Sequence, residues 1–194
     1  MWLSPRYQTD SALVLTEAPS LNFVLITPAR NEARFIQRVI DSVVAQTARP
    51  ISWIIVSDGS TDGMDAIVQQ ATHEHGIIRL IRQEQGGGRS FGSKAMAFRR
   101  GCEELNGLSF DFIGNLDADI TLAPNYYESI LHEMAGNPRL GIASGVCMDK
   151  TPTGFKKATI SLNHAVGAVQ FFRRECYEAI GGDRRHAVQT GGAV

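Results

Sequence analysis

The feature that most constrains the fold is a repeated alternation: a strand-length apolar run ends in a polar loop, and apolar residues at helical spacing follow. Leu21 to Thr27 is the first run, stopped by Pro28. After it Asn31 reads as a helix cap, and Phe35, Ile36, Val39, Ile40, Val43 and Val44 recur on one helical face. Ile51 to Val56 repeats the strand, residues 57–63 the loop, and Met64, Ile67, Val68 and Ala71 the helix. A third run, Ile77 to Ile81, leads through Gly86-Gly87-Gly88 to a helix with Phe91, Ala95, Phe98, Cys102 and Leu105 on one face. The fourth, Phe110 to Ile120, is followed by Pro124, suited to a first helical turn, and by Tyr127, Ile130, Leu131 and Met134. Strands alternating with helices of this length predict an α/β, Rossmann-like, mostly parallel sheet flanked by helices and joined by right-handed crossovers.

Beyond residue 138 the rhythm changes. Leu140 to Met148 reads as a strand, Thr151 to Lys157 as a polar connection, and Val166 to Phe172 as a strand leading into a short helix through Ile180. The expected organisation is an arm over residues 1–20, one domain over 21–182 and an irregular tail over 183–194.

In a parallel sheet the loops after successive strands emerge at one edge, where ligands of open α/β sheets collect. Asn31 and Glu32, Asp58 to Asp62, and Asp117 to Asp119 all belong there. With period-2 alternation Asp117 and Asp119 point to one side of an extended backbone, so they could share a divalent cation and the phosphates it carries. Each piece also has a plain structural reading. An isolated D-x-D can be a solvated acidic turn, Thr27-Pro28-Ala29-Arg30-Asn31-Glu32 a capped helix start, and Ser57-Asp58-Gly59-Ser60-Thr61-Asp62-Gly63 a capped turn. Gly86-Gly87-Gly88 with Arg89 and Lys94 offers charge to phosphates or serves as a solvated linker, and does not match a Walker loop. His164 lacks a ligand partner at metal-binding spacing.

Composition narrows the partners. Lys plus Arg is 19 against 20 Asp plus Glu, a net charge of -1, which argues against nucleic acid or an anionic membrane as a general partner. Cys102, Cys147 and Cys176 are scattered and odd in number, which fits a reducing compartment better than a disulfide framework. Without a spanning apolar stretch or a leader pattern the chain reads as cytoplasmic, with association to the cytoplasmic face of a membrane left open.

Taken together, Pro28-Ala29-Arg30-Asn31-Glu32, Val56-Ser57-Asp58-Gly59-Ser60-Thr61-Asp62, Gly92-Ser93-Lys94-Ala95 and Leu116-Asp117-Ala118-Asp119 occur in one order and spacing, and Phe171-Phe172-Arg173-Arg174-Glu175 to Gly181-Gly182 follows them. The sequence resembles the family 2 glycosyltransferases, which have the glycosyltransferase A fold. The resemblance implies a nucleotide-sugar transferase. Thr27, Pro28, Ala29, Arg30, Glu32 and Asp58 would then hold the base and ribose of a UDP- or GDP-linked donor, and Lys94 would approach the nucleotide. Asp117, with Ala118 between, and Asp119 would bind ribose and a Mg²⁺ or Mn²⁺ ion on the diphosphate, Asp119 being the better metal ligand. The resemblance also implies an inverting transfer to a saccharide, lipid or other hydroxyl acceptor, with a carboxylate base after the Gly181-Gly182 segment. That base is Asp183, or it lies beyond Val194 in a longer protein of which this chain is a fragment. Two rivals belong to other classes. A sugar-nucleotide nucleotidyltransferase would carry a glycine-rich basic signature after strand one, which Pro28-Ala29-Arg30-Asn31-Glu32 lacks. A non-catalytic module would bind the nucleotide sugar without turnover.

Overall fold

The computed structural model describes residues 21–83, 91–157 and 165–182. The expected arm, the triple glycine with Arg89, His164, Asp183 and the tail lie outside the described residues. Chain order is β1 (Phe23–Ala29), α1 (Ile36–Val44), β2 (Ser52–Asp58), α2 (Met64–Glu74), β3 (Ile78–Gln83), α3 (Phe91–Glu103), β4 (Phe112–Asn115), α4 (Tyr126–Gly136), β5 (Ile142–Ala143), β6 (Met148–Thr151), β7 (Gly154–Lys157), β8 (Phe171–Arg173) and α5 (Arg174–Ala179). A six-stranded sheet has the order β3-β2-β1-β4-β8-β5. β3, β2, β1 and β4 pair in parallel, whereas β8 is antiparallel to both β4 and β5.

Alternation along the strands sorts the core into two layers. Phe23 and Leu25 of β1, with Trp53 and Ile55 of β2, face α1, α2 and α4 through Ile36, Val39, Val43, Met64, Val68, Ile130 and Met134. Val24, Ile26, Ile54 and Val56 face the other way, onto Ala97 and Leu105 of the α3 region. β1 and β2 are thus covered on both sides, which is why their sequences are continuously apolar rather than alternating.

Several expectations are corrected. Pro28 does not stop the first strand, which continues to Ala29. The Leu116 N–H donates to the Ile26 carbonyl, so Ile26 and, two residues on, Pro28 turn their main-chain groups toward β4. Pairing with β4 ends at Ile26, and the missing proline N–H therefore falls where no ladder bond is required. β4 is only Phe112–Asn115, and Asp117 to Asp119 form a turn, with the Ile120 N–H donating to the Asp117 carbonyl at 3.3 Å. The aspartates consequently do not alternate along an extended backbone. On α3, Ala95 is exposed, and Ala97 and Gly101 meet the sheet instead. The strand expected over 140–148 shrinks to Ile142–Ala143, and the expected polar connection is the hairpin β6–β7, turned at Pro152 and Thr153 with Gly154 following at φ 131°. Exposed on both faces, such a hairpin carries no apolar period to reveal it. Between Val166 and β8 the chain makes a 3-10 turn over Gly167–Val169 because the end of β4 claims its carbonyls: Asn115 Nδ2 donates to Gly167 at 2.7 Å and the Asp117 N–H to Ala168 at 2.8 Å. Among the described residues no helix is long and apolar enough to cross a membrane.

The closeness of α3 to the sheet depends on Gly101, where an added Cβ would lie 2.6 Å from Ile26 Cγ2 and 3.2 Å from Val56 Cγ2. Both methyls sit on β-branched side chains fixed by their strands, so they yield little. Gly101→Ala is expected to destabilise the domain by about 1–3 kcal/mol, outweighing the roughly 1 kcal/mol gained in helix propensity. A lower urea midpoint at unchanged slope would show it, and an unchanged midpoint would mean that α3 stands further off.

Candidate functional site

The carboxyl ends of the parallel strands open into a cleft of about 450 Å³. β1 and the loop after it supply Pro28, Ala29, Arg30 and Glu32, and the end of β2 supplies Asp58. The first turns of α3 add Lys94, and the turn after β4 adds Asp117, Ala118 and Asp119. All of the described residues expected at a nucleotide-sugar site meet here except Thr27. That side chain is fully buried and its hydroxyl accepts a hydrogen bond from Trp53 Nε1 at 2.9 Å, so it braces β1 against β2 instead of reaching the cleft.

Asp58, only 4% exposed, is held by Gln83 Nε2, which donates to Oδ1 at 2.9 Å. Asp117 is held from three directions. Its Oδ1 receives Lys94 Nζ at 2.5 Å and, more weakly, Asn115 Nδ2 at 3.4 Å, while its main-chain N–H is tied to Ala168. Asp119 is exposed on the turn. Charge is thus graded across the cleft, from a sheltered carboxylate at Asp58, through a cation-paired one at Asp117, to an open one at Asp119.

Asn31 does not cap a helix. α1 begins five residues later, and Asn31 takes φ 56°, its side chain accepting from the Thr61 N–H at 2.8 Å. The sequence reading missed Ser93 and Ala97 in the lining. Ala97 lies one helical turn beyond Ser93 and Lys94, a spacing that signals a shared face. It also missed Gln83 and Asn115 as the residues that hold the two buried-edge carboxylates; Asn115 stands two residues before Asp117.

Among the described residues no cluster of three or more His, Cys, Asp or Glu could hold a metal by itself. Two carboxylates of hard oxygen nonetheless fit a Mg²⁺-like ion, which takes one or two protein carboxylates and fills its remaining positions with water and substrate phosphate. Beside them, burial raises the Cys147 thiol, and the charges of Asp149 and Asp117 raise it further, so it stays protonated at neutral pH. Tyr126, whose hydroxyl accepts from the Gly145 N–H at 2.9 Å, is pushed by burial up to about 12 and acts only as a neutral group.

The sequence profile described as Glycosyl transferase family 2 matches residues 24–176. The chain belongs to this family. Curated relatives include a chondroitin synthase of Pasteurella multocida, 29% identical over 127 residues that make up 66% of this chain and 12% of that protein. A chondroitin synthase of Escherichia coli is 33% identical over 55% of this chain and 14% of its own length. An uncharacterized glycosyltransferase of Nostoc sp., alr2836, is 34% identical over 58% of this chain and 32% of its own. The chain therefore spans a minor part of the relatives that it matches. Among solved structures, the mannosyltransferase PcManGT of Pyrobaculum calidifontis, in complex with GDP-Man and Mn²⁺, superposes with TM-score 0.60 at 22% identity, covering 82% of this chain and 46% of that one. S. aureus TarS in complex with UDP-GlcNAc gives TM-score 0.62 at 14% identity, covering 82% and 47%. These likenesses establish the glycosyltransferase A fold for the family 2 domain.

The buried Thr27 separates structure from binding. Thr27→Val keeps the shape and strips the acceptor, leaving the Trp53 indole N–H unpaired, so a loss of about 1–3 kcal/mol in chemical denaturation is expected. Nucleotide affinity of the folded fraction should stay within twofold of wild type; a selective loss of affinity would return Thr27 to the binding residues.

Proposed function

We propose that this family 2 domain binds a nucleoside-diphosphate sugar in the cleft and transfers the sugar to an acceptor hydroxyl with inversion. The observation that carries the reading is the convergence of Arg30 and Glu32, Asp58, Lys94 and Asp117 to Asp119, drawn from separate strand–helix units, on one cleft at the carboxyl edge. Arg30, Glu32 and the sheltered Asp58 line the end suited to base and ribose, whose hydroxyls and ring N–H groups are donors that a carboxylate accepts. Lys94 and Asp117 form a charge pair that can face ribose and diphosphate together. Asp119, exposed and free to turn toward the diphosphate, is the residue that would hold Mg²⁺ or Mn²⁺, with Asp117 assisting. When bound, that cation would neutralise charge developing on the leaving diphosphate. Two structural neighbours were solved with GDP-Man and Mn²⁺ and with UDP-GlcNAc, which supports a hexosyl donor of this kind.

In the transfer the bond from the anomeric carbon to the diphosphate oxygen breaks, the acceptor oxygen bonds to that carbon, and the acceptor proton passes to a carboxylate base. Asp183 or a carboxylate beyond Val194 would take this proton. Three free cysteines support a reducing compartment such as the cytoplasm. Family membership favours this reading over a sugar-nucleotide nucleotidyltransferase.

Calorimetric titration with UDP and with GDP, each with and without Mn²⁺, tests the site on wild type and on Asp119→Ala. One nucleotide should bind with Mn²⁺ present, and the substitution should weaken it at least about tenfold, a change of roughly 1.4 kcal/mol. A folded wild type that binds neither nucleotide, or an Asp119→Ala chain with undiminished Mn²⁺-dependent affinity, would refute the proposal. Release of pyrophosphate from a nucleoside triphosphate and a sugar phosphate would instead identify the nucleotidyltransferase.

A further inference from the structure

The hydrogen-bonded ladder between β1 and β2 ends at Ala29↔Ser57, yet the two chains stay joined beyond it. The Asn31 N–H donates to Ser60 Oγ at 3.1 Å, and the Thr61 N–H donates back to Asn31 Oδ1 at 2.8 Å. Thr61 Oγ1 approaches the same oxygen at 3.4 Å. Two residues on, the Ala33 N–H donates to Asp62 Oδ2 at 2.8 Å, while Asp62 Oδ1 accepts from the Met64 N–H at the start of α2. Side chains thus extend the pairing of the strands into the loops that lead to α1 and α2.

Asn31 is the only non-glycine among the described residues with positive φ, at 56°. Asparagine tolerates that region better than most residues, but its occupation there still calls for surrounding structure to hold it. Here the reciprocal bonds to Ser60 and Thr61 do so. The left-handed turn also sends the Asn31 side chain toward the neighbouring loop, whereas Arg30 before it and Glu32 after it line the cleft. Asp58, on the other side of the join, lies two residues before Ser60.

We propose that Asn31 is a positioning residue: by clasping the loop after β1 to the loop after β2, it fixes Arg30 and Glu32 relative to Asp58, so that the nucleoside end of the donor meets a preformed wall. The inference rests on the nucleotide-binding reading of the cleft and goes beyond it. A residue that contacts no ligand thereby sets ligand affinity. Preformed geometry matters because each loop ordered only on binding subtracts from affinity.

The test uses the whole chain and the nucleotide, UDP or GDP, that wild type binds in the presence of Mn²⁺. Asn31→Gly keeps the left-handed backbone available and the main-chain donation to Ser60 Oγ, and removes only Oδ1 with the bond it accepts from Thr61. Asn31→Asp keeps an acceptor at Oδ1 and a residue at ease with positive φ. Asn31→Gly should bind about five- to tenfold more weakly, the scale of one lost hydrogen bond. Asn31→Asp should return to within about twofold of wild type at 0.15 M salt, where charge effects between exposed groups are damped. Circular dichroism and thermal unfolding of both variants identify the folded fraction to which affinities refer. Equal affinity for Asn31→Gly and wild type would overturn the proposal, as would an Asn31→Asp chain as weak as Asn31→Gly, since Oδ1 would then not be what joins the loops. If wild type itself binds no nucleotide, it is the reading of the cleft that fails.

Discussion

The structure depends on the parallel ladder that sets β1 between β2 and β4. Its register, Ala29↔Ser57 on one side and Ile26↔Asn115 on the other, determines where each strand gives way to loop. Because β1 is buried on both faces, a one-residue slip would exchange Phe23 and Leu25 with Val24 and Ile26 between two differently shaped layers. The same register aligns the ends of the strands, so Glu32, Asp58 and Asp117 are brought to one edge by core packing, and no attraction among these carboxylates is needed.

Grouping acidic residues at one edge has an electrostatic cost, and the structure offsets it with a local partner for each sheltered carboxylate. Gln83 holds Asp58 and Lys94 holds Asp117. Lys94 and Asp117 remain about a third and a quarter exposed, at 37% and 26%, so water also screens the pair and its net worth is modest. Asp119 stays exposed on the turn, where a solvated carboxylate costs little. The antiparallel β8 belongs to the same arrangement. Hydrogen-bonded to β4, it brings the turn at Gly167–Val169 against Asn115 and Asp117, which clamps the base of the acidic turn.

The strands and helices of the first four units were legible because their signal is local: Tyr127, Ile130, Leu131 and Met134 are buried as their spacing requires, and so are Ile36, Val39, Ile40 and Val43. The cleft was legible for the same reason, since loops between parallel strands must emerge together. Failures came where one residue type serves two structural purposes. Asparagine after a strand suits a helix cap and a left-handed turn equally, and only the neighbouring loop decides between them at Asn31. The Thr27 hydroxyl, at the end of the first apolar run, meets its partner Trp53 on the adjacent strand, a pairing that periodicity along one strand does not show. The three-residue β8 and the exposed hairpin β6–β7 are too short or too solvated for periodicity to register.

By itself, then, the sequence determined the α/β class, the buried faces of α1, α2 and α4 and the order of the segments around the cleft, because propensity and periodicity act over a few neighbouring residues. Tertiary structure alone decided which residues are consumed by bracing, as Thr27 is by Trp53. It decided too that the two aspartates stand on a turn rather than along a strand, and that an antiparallel strand closes the parallel sheet at β4. Each of those outcomes depends on bonds between segments far apart in the chain, such as Lys94 to Asp117 and Asn31 to Thr61, whose geometry exists only after the sheet has set its register.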